Sequence, residues 1–282
     1  MTAPSAAGRP AASGPAPDTA PGPGYAFDND SVHAAEQHGC LAAAYDTPTT
    51  AHLERTGVGP GWHCLEIGAG QGSVAAWLAR RVAPSGRVVA TDIKPGRIPA
   101  VPGLVVLRHD IVRDPLPERA YDLVHARLVL SHLPERRAVL ARLLRTLRPG
   151  GRIQVDEFDS THYAALLPAD PDSRDLYARF HQAKLSALRA SGGEPAWGRD
   201  AAADLCAAGF TEVEPVAHTE VWTADSPGAR LQAHHTRHLR DRLVAAGMTD
   251  DELARVRHLM ADPGFRAASC VFYTVQGRRS AD

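Results

Sequence analysis

Residues 62–72, Trp-His-Cys-Leu-Glu-Ile-Gly-Ala-Gly-Gln-Gly, constrain this chain more than any other stretch. Cys64, Leu65 and Ile67 form a short apolar run that reads as a buried strand and stops at Gly68, Gly70 and Gly72. A helical pattern of apolar residues (Val74, Ala75, Trp77, Leu78, Val82) begins at once. Strand, glycine turn and helix bring a backbone close to a nucleotide-like ligand. Glycine has no Cβ to block the approach, and a helix N-terminus offers unpaired N–H groups. Glu66 gives the motif a sign. A carboxylate two residues before the first glycine would repel a pyrophosphate and favours a cationic group in the turn. Ser73 stands where a dinucleotide fingerprint has Gly or Ala, which argues in the same direction.

Further elements follow in alternation. Strands are predicted at Arg87 to Ile93, Leu104 to Leu107, Tyr121 to His125 and Arg152 to Phe158, and a helix at Leu133 to Leu147. Pro95, Pro99 and Pro102 forbid a long helix after the second strand, and Pro149-Gly150-Gly151 ends the later one. Alternation of this kind implies a mainly parallel sheet. Before it, residues 34–56 read as helical with a break around Asp46 to Pro48. After it, the pattern predicts helices at 172–191, Ala201 to Ala208, 227–246 and 249–261, with strands at 212–222 and Ser269 to Gln276. The expected fold is α/β: a Rossmann-like, seven-stranded, mostly parallel sheet with helices on both faces and a helical cap. The cap comprises about 172–191 and 227–261, where long insertions tend to lie over a site.

Residues 1–24 of the 282 are mostly Ala, Pro and Gly and are expected to be a disordered, dispensable tail with neither signal-peptide nor targeting character. The rest divides into N-terminal helices (25–58), a core (60–158) and the cap, within one domain over 25–277, leaving 278–282 as a short tail. No apolar stretch nears the roughly 18–20 residues of a membrane span. A net charge of −1 speaks against a general nucleic-acid binder. Cys40, Cys64, Cys206 and Cys270 are scattered, which suits a reducing cytoplasm rather than a disulfide framework or a zinc knuckle. Lysine occurs only at 94 and 184, which reads as coding bias. Oligomeric state, monomer or homodimer, stays open.

Ligands of open α/β sheets lie beyond the carboxyl ends of the strands. Those ends carry Glu66, Asp92, Asp110 and the run His125-Ala126-Arg127-Leu128. With Thr91-Asp92-Ile93, His109-Asp110, Tyr121-Asp122-Leu123-Val124 and Leu147-Arg148-Pro149-Gly150-Gly151 in order, the chain resembles the class I S-adenosylmethionine-dependent methyltransferases. Val124-His125-Ala126-Arg127-Leu128-Val129-Leu130 and Tyr25-Ala26-Phe27-Asp28-Asn29 resemble bacterial small-molecule members. The resemblance implies that S-adenosyl-L-methionine is bound by Glu66, Gly68, Gly70 and Gly72 at the methionine end and turn. It further implies Asp92 at the ribose, Asp110 at the adenine edge, and Ile93, with Ile111, on the adenine face. Arg127 is either a partner of the cofactor carboxylate or part of an internal ion pair. Asp122 reads as a strand-edge residue bonded to the first turn.

On the acceptor side the run Asp156-Glu157-Phe158-Asp159, followed by His162-Tyr163, is expected to place a polar cluster at the mouth. His235 falls on the inward stripe with Leu231, Leu239 and Leu243. Glu157, Asp159, His162, His132 and His235 are the candidate catalytic groups, and no base stands out among them. His234 and His238 have zinc-ligand spacing but read as cap histidines, and no metal is expected. Tyr25, His33, His38 and Tyr45 belong to segments expected to close over the site. The implied function is methyl transfer to oxygen or nitrogen of a small molecule, a secondary metabolite by analogy. The alternative is a reaction such as cyclisation that uses the same cofactor without consuming it. An NAD-dependent oxidoreductase leaves Glu66 without a role, and a non-catalytic binding protein would tolerate a filled acceptor cavity.

Overall fold

The structure, a computed structural model, describes residues 26–282; the expected tail and Tyr25 lie outside the described residues. In chain order the first half runs α1 (Ala34–Arg55), β1 (His63–Ile67), α2 (Ser73–Val82), β2 (Arg87–Asp92), β3 (Leu104–Arg108), β4 (Tyr121–Arg127), α3 (Arg136–Thr146) and β5 (Leu147–Asp159). The second half runs β6 (Ala164–Leu167), α4 (Pro171–Ala190), α5 (Ala201–Ala207), β7 (Thr211–His218), β8 (Val221–Thr223), α6 (Pro227–His238), α7 (Arg240–Ala245), α8 (Asp250–Ala261), β9 (Arg266–Ala268) and β10 (Val271–Arg278). Seven strands form one sheet in the order β3-β2-β1-β4-β5-β10-β7; β1 to β5 pair in parallel, and β10 runs antiparallel to β5 and β7.

Period-two alternation in β1 sorts its side chains between two layers. Cys64 packs with Leu53 of α1 and Leu78 of α2 on one face. Leu65 and Ile67 pack with Leu140 and Leu143 of α3 and Leu205 of α5 on the other. A separate core, with Tyr177, Phe180, Trp222, Leu253 and Phe265, joins α4 and α6 to α8 into the cap. The cap helices start where local chemistry starts them. Asp170 and Ser226 accept backbone N–H bonds at the N-caps of α4 and α6, each followed by proline, and Thr249 with Glu252 forms a capping box on α8.

Several elements differ from the sequence reading. Helix α1 continues through Pro48. Proline forfeits one helical hydrogen bond, but burial of Cys40, Tyr45, Thr49 and Leu53 along one face holds both halves in a single helix. The expected strand over 212–222 is two strands in different sheets, because β8 leaves β7 to pair with β9 in a three-stranded antiparallel sheet, β6-β9-β8, under the cap. The helix predicted over 227–246 is divided at Leu239. The expected end tail is partly ordered: Arg278 lies in β10, and the Arg279 guanidinium donates to the carbonyls of Leu144, Arg145 and Leu147 at the end of α3. No described helix is long and apolar enough to cross a membrane.

Candidate functional site

One cavity of about 1000 Å3 opens between the carboxyl ends of the sheet strands and the cap. Glu66, Gly68, Gly70, Asp92, Asp110 and Arg127 line its sheet side, and Tyr163, Lys184, Leu188, Leu231, Gln232 and His235 its cap side.

The glycine turn is a backbone requirement. Gly68, Gly70 and Gly72 have φ of +63°, +57° and +77°. A Cβ on Gly68 would sit 2.3 Å from Val129 Cγ2 in the loop after β4. Gly72 does not line the cavity; it begins α2, with Ile98 against it. Gly68→Ala is therefore expected to lower stability by about 1–3 kcal/mol through overpacking in a left-handed conformation. Unchanged denaturant midpoints would show that Val129 yields freely.

Beneath the turn, Glu66 is joined to two residues that its local sequence does not predict. His125 of β4 is fully buried, with Nδ1 2.6 Å from Glu66 Oε2 and Nε2 2.9 Å from Asp156 Oδ2 of β5. Thr274 of β10 donates to the other Asp156 oxygen at 2.6 Å. Burial alone would depress the His125 pKa, but the two carboxylates outweigh it and raise it to about 9. The ring is therefore an imidazolium at neutral pH, and the trio carries one net negative charge at the floor of the cavity. Parallel pairing places Glu66 opposite His125. Only that register, set by strands far apart in sequence, reveals the link.

Asp92 is held at the end of β2 by three donors. Oδ1 accepts from the Lys94 N–H at 2.8 Å and from Asn29 Nδ2 at 3.2 Å, and Oδ2 accepts from the Gly70 N–H at 3.0 Å. Asn29 belongs to an N-terminal strap. Arg97 donates to its carbonyl at 2.7 Å, His38 Nε2 lies 2.8 Å from its Oδ1, and Lys94 pairs with neighbouring Asp28 and Asp30. The Asp28-Asn29 pair was visible in the sequence; its partner across the cavity was not.

Other expected site residues separate. Ile93, Asp110 and Ile111 line the cavity, and Asp110 Oδ1 also accepts from the Val112 N–H at 2.9 Å, capping its own turn. Arg127 lines it too, with its guanidinium 2.8 Å from Asp46 of α1 and 3.3 Å from Thr49 Oγ1, the internal ion pair of the two alternatives. Asp122 lies outside it, accepting from the His63 N–H and pairing with Arg148. His132 and His235 line the cavity. Burial foremost, then Arg136, lowers the His132 pKa to about 4, and burial with Lys184 and two histidines holds His235 well below the ordinary range, so both rings are neutral.

Glu157, Asp159 and His162 do not line the cavity, contrary to expectation. Along β5, Phe158 faces the aromatic rings of Tyr45 and Phe272, whereas Glu157 and Asp159 project to the opposite side. Glu157 Oε1 accepts the N–H groups of Val129, Leu130 and Ser131 at 3.0, 2.8 and 3.2 Å, fixing the loop that carries His132. Asp159 accepts from Thr161, and His162, largely exposed, lies 3.5 Å from Asp159. His234 and His238 bind the His33 carbonyl and Gln37 of α1, sealing α6 against it. Tyr45 packs behind the wall, whereas His38 is part of it. Tyr163, placed by the sequence reading in the polar run at the mouth, does line the cavity; Lys184 and Gln232 were missed, and the rarity of lysine was the available signal.

Residues 65–153 match the family described as "Methyltransferase domain". Methyltransferase str2 of Strobilurus tenacellus is 33% identical over 138 residues, 48% of this chain and 48% of that protein. The ubiquinone/menaquinone biosynthesis C-methyltransferase UbiE of Cupriavidus taiwanensis is 33% identical over 114 residues, 38% of this chain and 47% of that protein. The matched stretches thus span about half the length of these relatives. In structure, the [4+2]-cyclase SpnF superposes with a TM-score of 0.52 at 19% identity, covering 84% of this chain and 82% of that one. This last likeness concerns the fold alone, whereas the family match over residues 65–153 takes in the strands and glycine turn that wall the cavity. Residues 65–153 therefore match a methyltransferase domain, and the likeness to S-adenosylmethionine-dependent methyltransferases rests on that stretch.

Proposed function

We propose that this chain transfers the methyl group of S-adenosylmethionine to an oxygen or nitrogen of a small molecule, a secondary metabolite, in the cytoplasm. The observation that carries the reading is one cavity that joins a net-negative, glycine-floored end to a cap wall where Leu188 and Leu231 stand among polar side chains. Cavities of roughly 300–1000 Å3 hold drug-sized ligands, so this one has room for cofactor and acceptor together. Four free cysteines, three of them buried, accord with the reducing compartment.

The residues fit the cofactor by charge and shape. The Glu66–His125–Asp156 trio attracts its cationic amino-acid end, and the turn at Gly68 and Gly70 admits its backbone approach, with Gly72 starting the helix beyond. Asp92 accepts from the ribose hydroxyls, Asp110 from the adenine amino group, and Ile93 with Ile111 covers the ring. We assign Arg127 to holding Asp46 of α1 against β4. When bound, the cofactor supplies an electrophilic methyl carbon on a sulfonium. The chain's own task is alignment and exclusion of water, worth about 7–11 kcal/mol when geometry is good. The neutral imidazoles of His132 and His235 are the wall's acceptors for a proton leaving the nucleophile. Glu157, bonded to backbone N–H groups, positions the His132 loop.

The test is product mass with isotope-labelled methyl cofactor and a panel of hydroxylated and amine-bearing metabolites. A labelled methyl group on oxygen or nitrogen, with S-adenosylhomocysteine released in equal amount, is the expected result. A product of unchanged mass that requires the cofactor without consuming it would replace this reading with cyclisation. NADH binding without any response to S-adenosylmethionine would end both.

A further inference from the structure

The cap wall holds a positive charge for which the described residues supply no counter-charge. Lys184 of α4 is 3% exposed and lines the cavity. Its Nζ donates to Tyr163 Oη at 3.2 Å and to Gln232 Oε1, both neutral oxygens, and lies 4.7 Å from the centroid of the Tyr163 ring. Among the described residues no carboxylate is paired with it. Carboxylates on the cavity wall are committed elsewhere: Glu66 to His125, Asp92 to three N–H donors, Asp28 to Lys94, Asp110 to the Val112 N–H and Glu194 to the Ala196 N–H. Cys270, the one acidic group that acts on Lys184, is itself pushed up to about 11 by burial and is a neutral thiol.

Burying an ammonium among neutral acceptors is costly, and such groups are retained where a partner completes them. Burial lowers the Lys184 pKa to about 8, so it is still charged at neutral pH. Beside it, His235 is 6% exposed with neither ring nitrogen hydrogen-bonded, and Leu188 and Leu231 supply apolar surface. The wall here sets the apolar Leu188 and Leu231 beside a buried ammonium that no described carboxylate neutralises and an imidazole that packs on Phe27 with both nitrogens unbonded. Arg242, which bonds Ser191, also lines the cavity. The chain has only two lysines, and both line this cavity. Lys94 is neutralised by Asp28 and Asp30, and Lys184 is not.

We propose that the cap half of the cavity binds an acceptor bearing an oxyanion, a carboxylate or a phenolate, which pairs with the Lys184 ammonium while His235 contacts the same or an adjacent polar group. This rests on the reading of the cavity as a methyl-acceptor site, and makes Lys184 the residue that selects acidic acceptors over neutral ones. An ion pair formed there is shielded from water, where charge complementarity discriminates far more strongly than at a surface.

The experiment compares shape-matched probes by calorimetry at neutral pH: phenylacetate with phenylacetamide, and indole-3-acetate with indole-3-acetamide. Each pair is titrated into the full chain with and without saturating S-adenosylhomocysteine. Each acid is expected to bind at least tenfold more tightly than its amide, and Lys184→Met is expected to bring the ratio close to one. Equal binding of acid and amide, no saturable binding of either acid, or an undiminished ratio in Lys184→Met would overturn the proposal. If Lys184→Met does not fold, the wild-type ratio decides alone. Failure of S-adenosylhomocysteine to bind would refute the methyltransferase reading separately, since the acid preference is also read without it.

Discussion

Replacing His125 with leucine is expected to lower folding stability by about 3–5 kcal/mol, the range for leaving buried charges without their partner. Glu66 and Asp156 are 3% and 0% exposed and share this one imidazolium, so its loss strands two carboxylates in the centre of the sheet. The pH dependence identifies the cause. The folded-state pKa of about 9 lies above the ordinary 6.5, so the folded chain holds this proton more tightly than the unfolded one. The stabilisation is complete below about pH 6.5 and is lost as pH rises through about 9. Glu157, raised to about 7, and Lys184, lowered to about 8, titrate in neighbouring windows. The readout is therefore the difference in urea unfolding free energy between wild type and His125→Leu, measured across that window. A narrowing difference with rising pH is expected. A constant difference would mean that the imidazole is neutral and that only packing was lost.

Asp92→Ala is expected to weaken S-adenosylmethionine binding roughly 10- to 150-fold, the equivalent of about 1.5–3 kcal/mol for hydrogen bonds to a charged group. The carboxylate has two roles in this prediction. It accepts from the ribose hydroxyls in the proposed complex, and it already gathers Gly70, Lys94 and Asn29 around the turn. Asp92→Asn keeps one acceptor and the side-chain shape, so it separates charge from scaffolding and is expected to fall between wild type and Asp92→Ala. Calorimetric titration below the melting temperature of each variant provides the comparison. Wild-type affinity in Asp92→Ala would remove the ribose role and leave Asp92 a turn-organising residue.

The elements that local chemistry encodes were legible in the sequence. The apolar run ending at Gly68, the helix opening at Ser73 and the starts of α4, α6 and α8 depend on residues within four positions of each other. The boundary at Pro48 was misleading for the converse reason, because propensity disfavours that helix and burial against the core sustains it. Strand β8 could not be separated from β7 by pattern, since both are short extended segments and only their partners differ.

What the sequence by itself determined is the sheet, the turn and the chemistry of the strand ends. Glu66, Asp92, Ile93 and Asp110 fall on the cavity because parallel strands place their carboxyl ends on one side. The tertiary structure alone decided what those residues touch. Alternation along β5 directs Glu157 and Asp159 away from the cavity that Phe158 enters, and strand register puts His125 against Glu66. Lys184 meets Tyr163 and Gln232 only because α4, the segment before β6 and α6 converge over the sheet. Side-chain period is a local property of backbone geometry, whereas register and convergence are set by packing between segments distant in the chain.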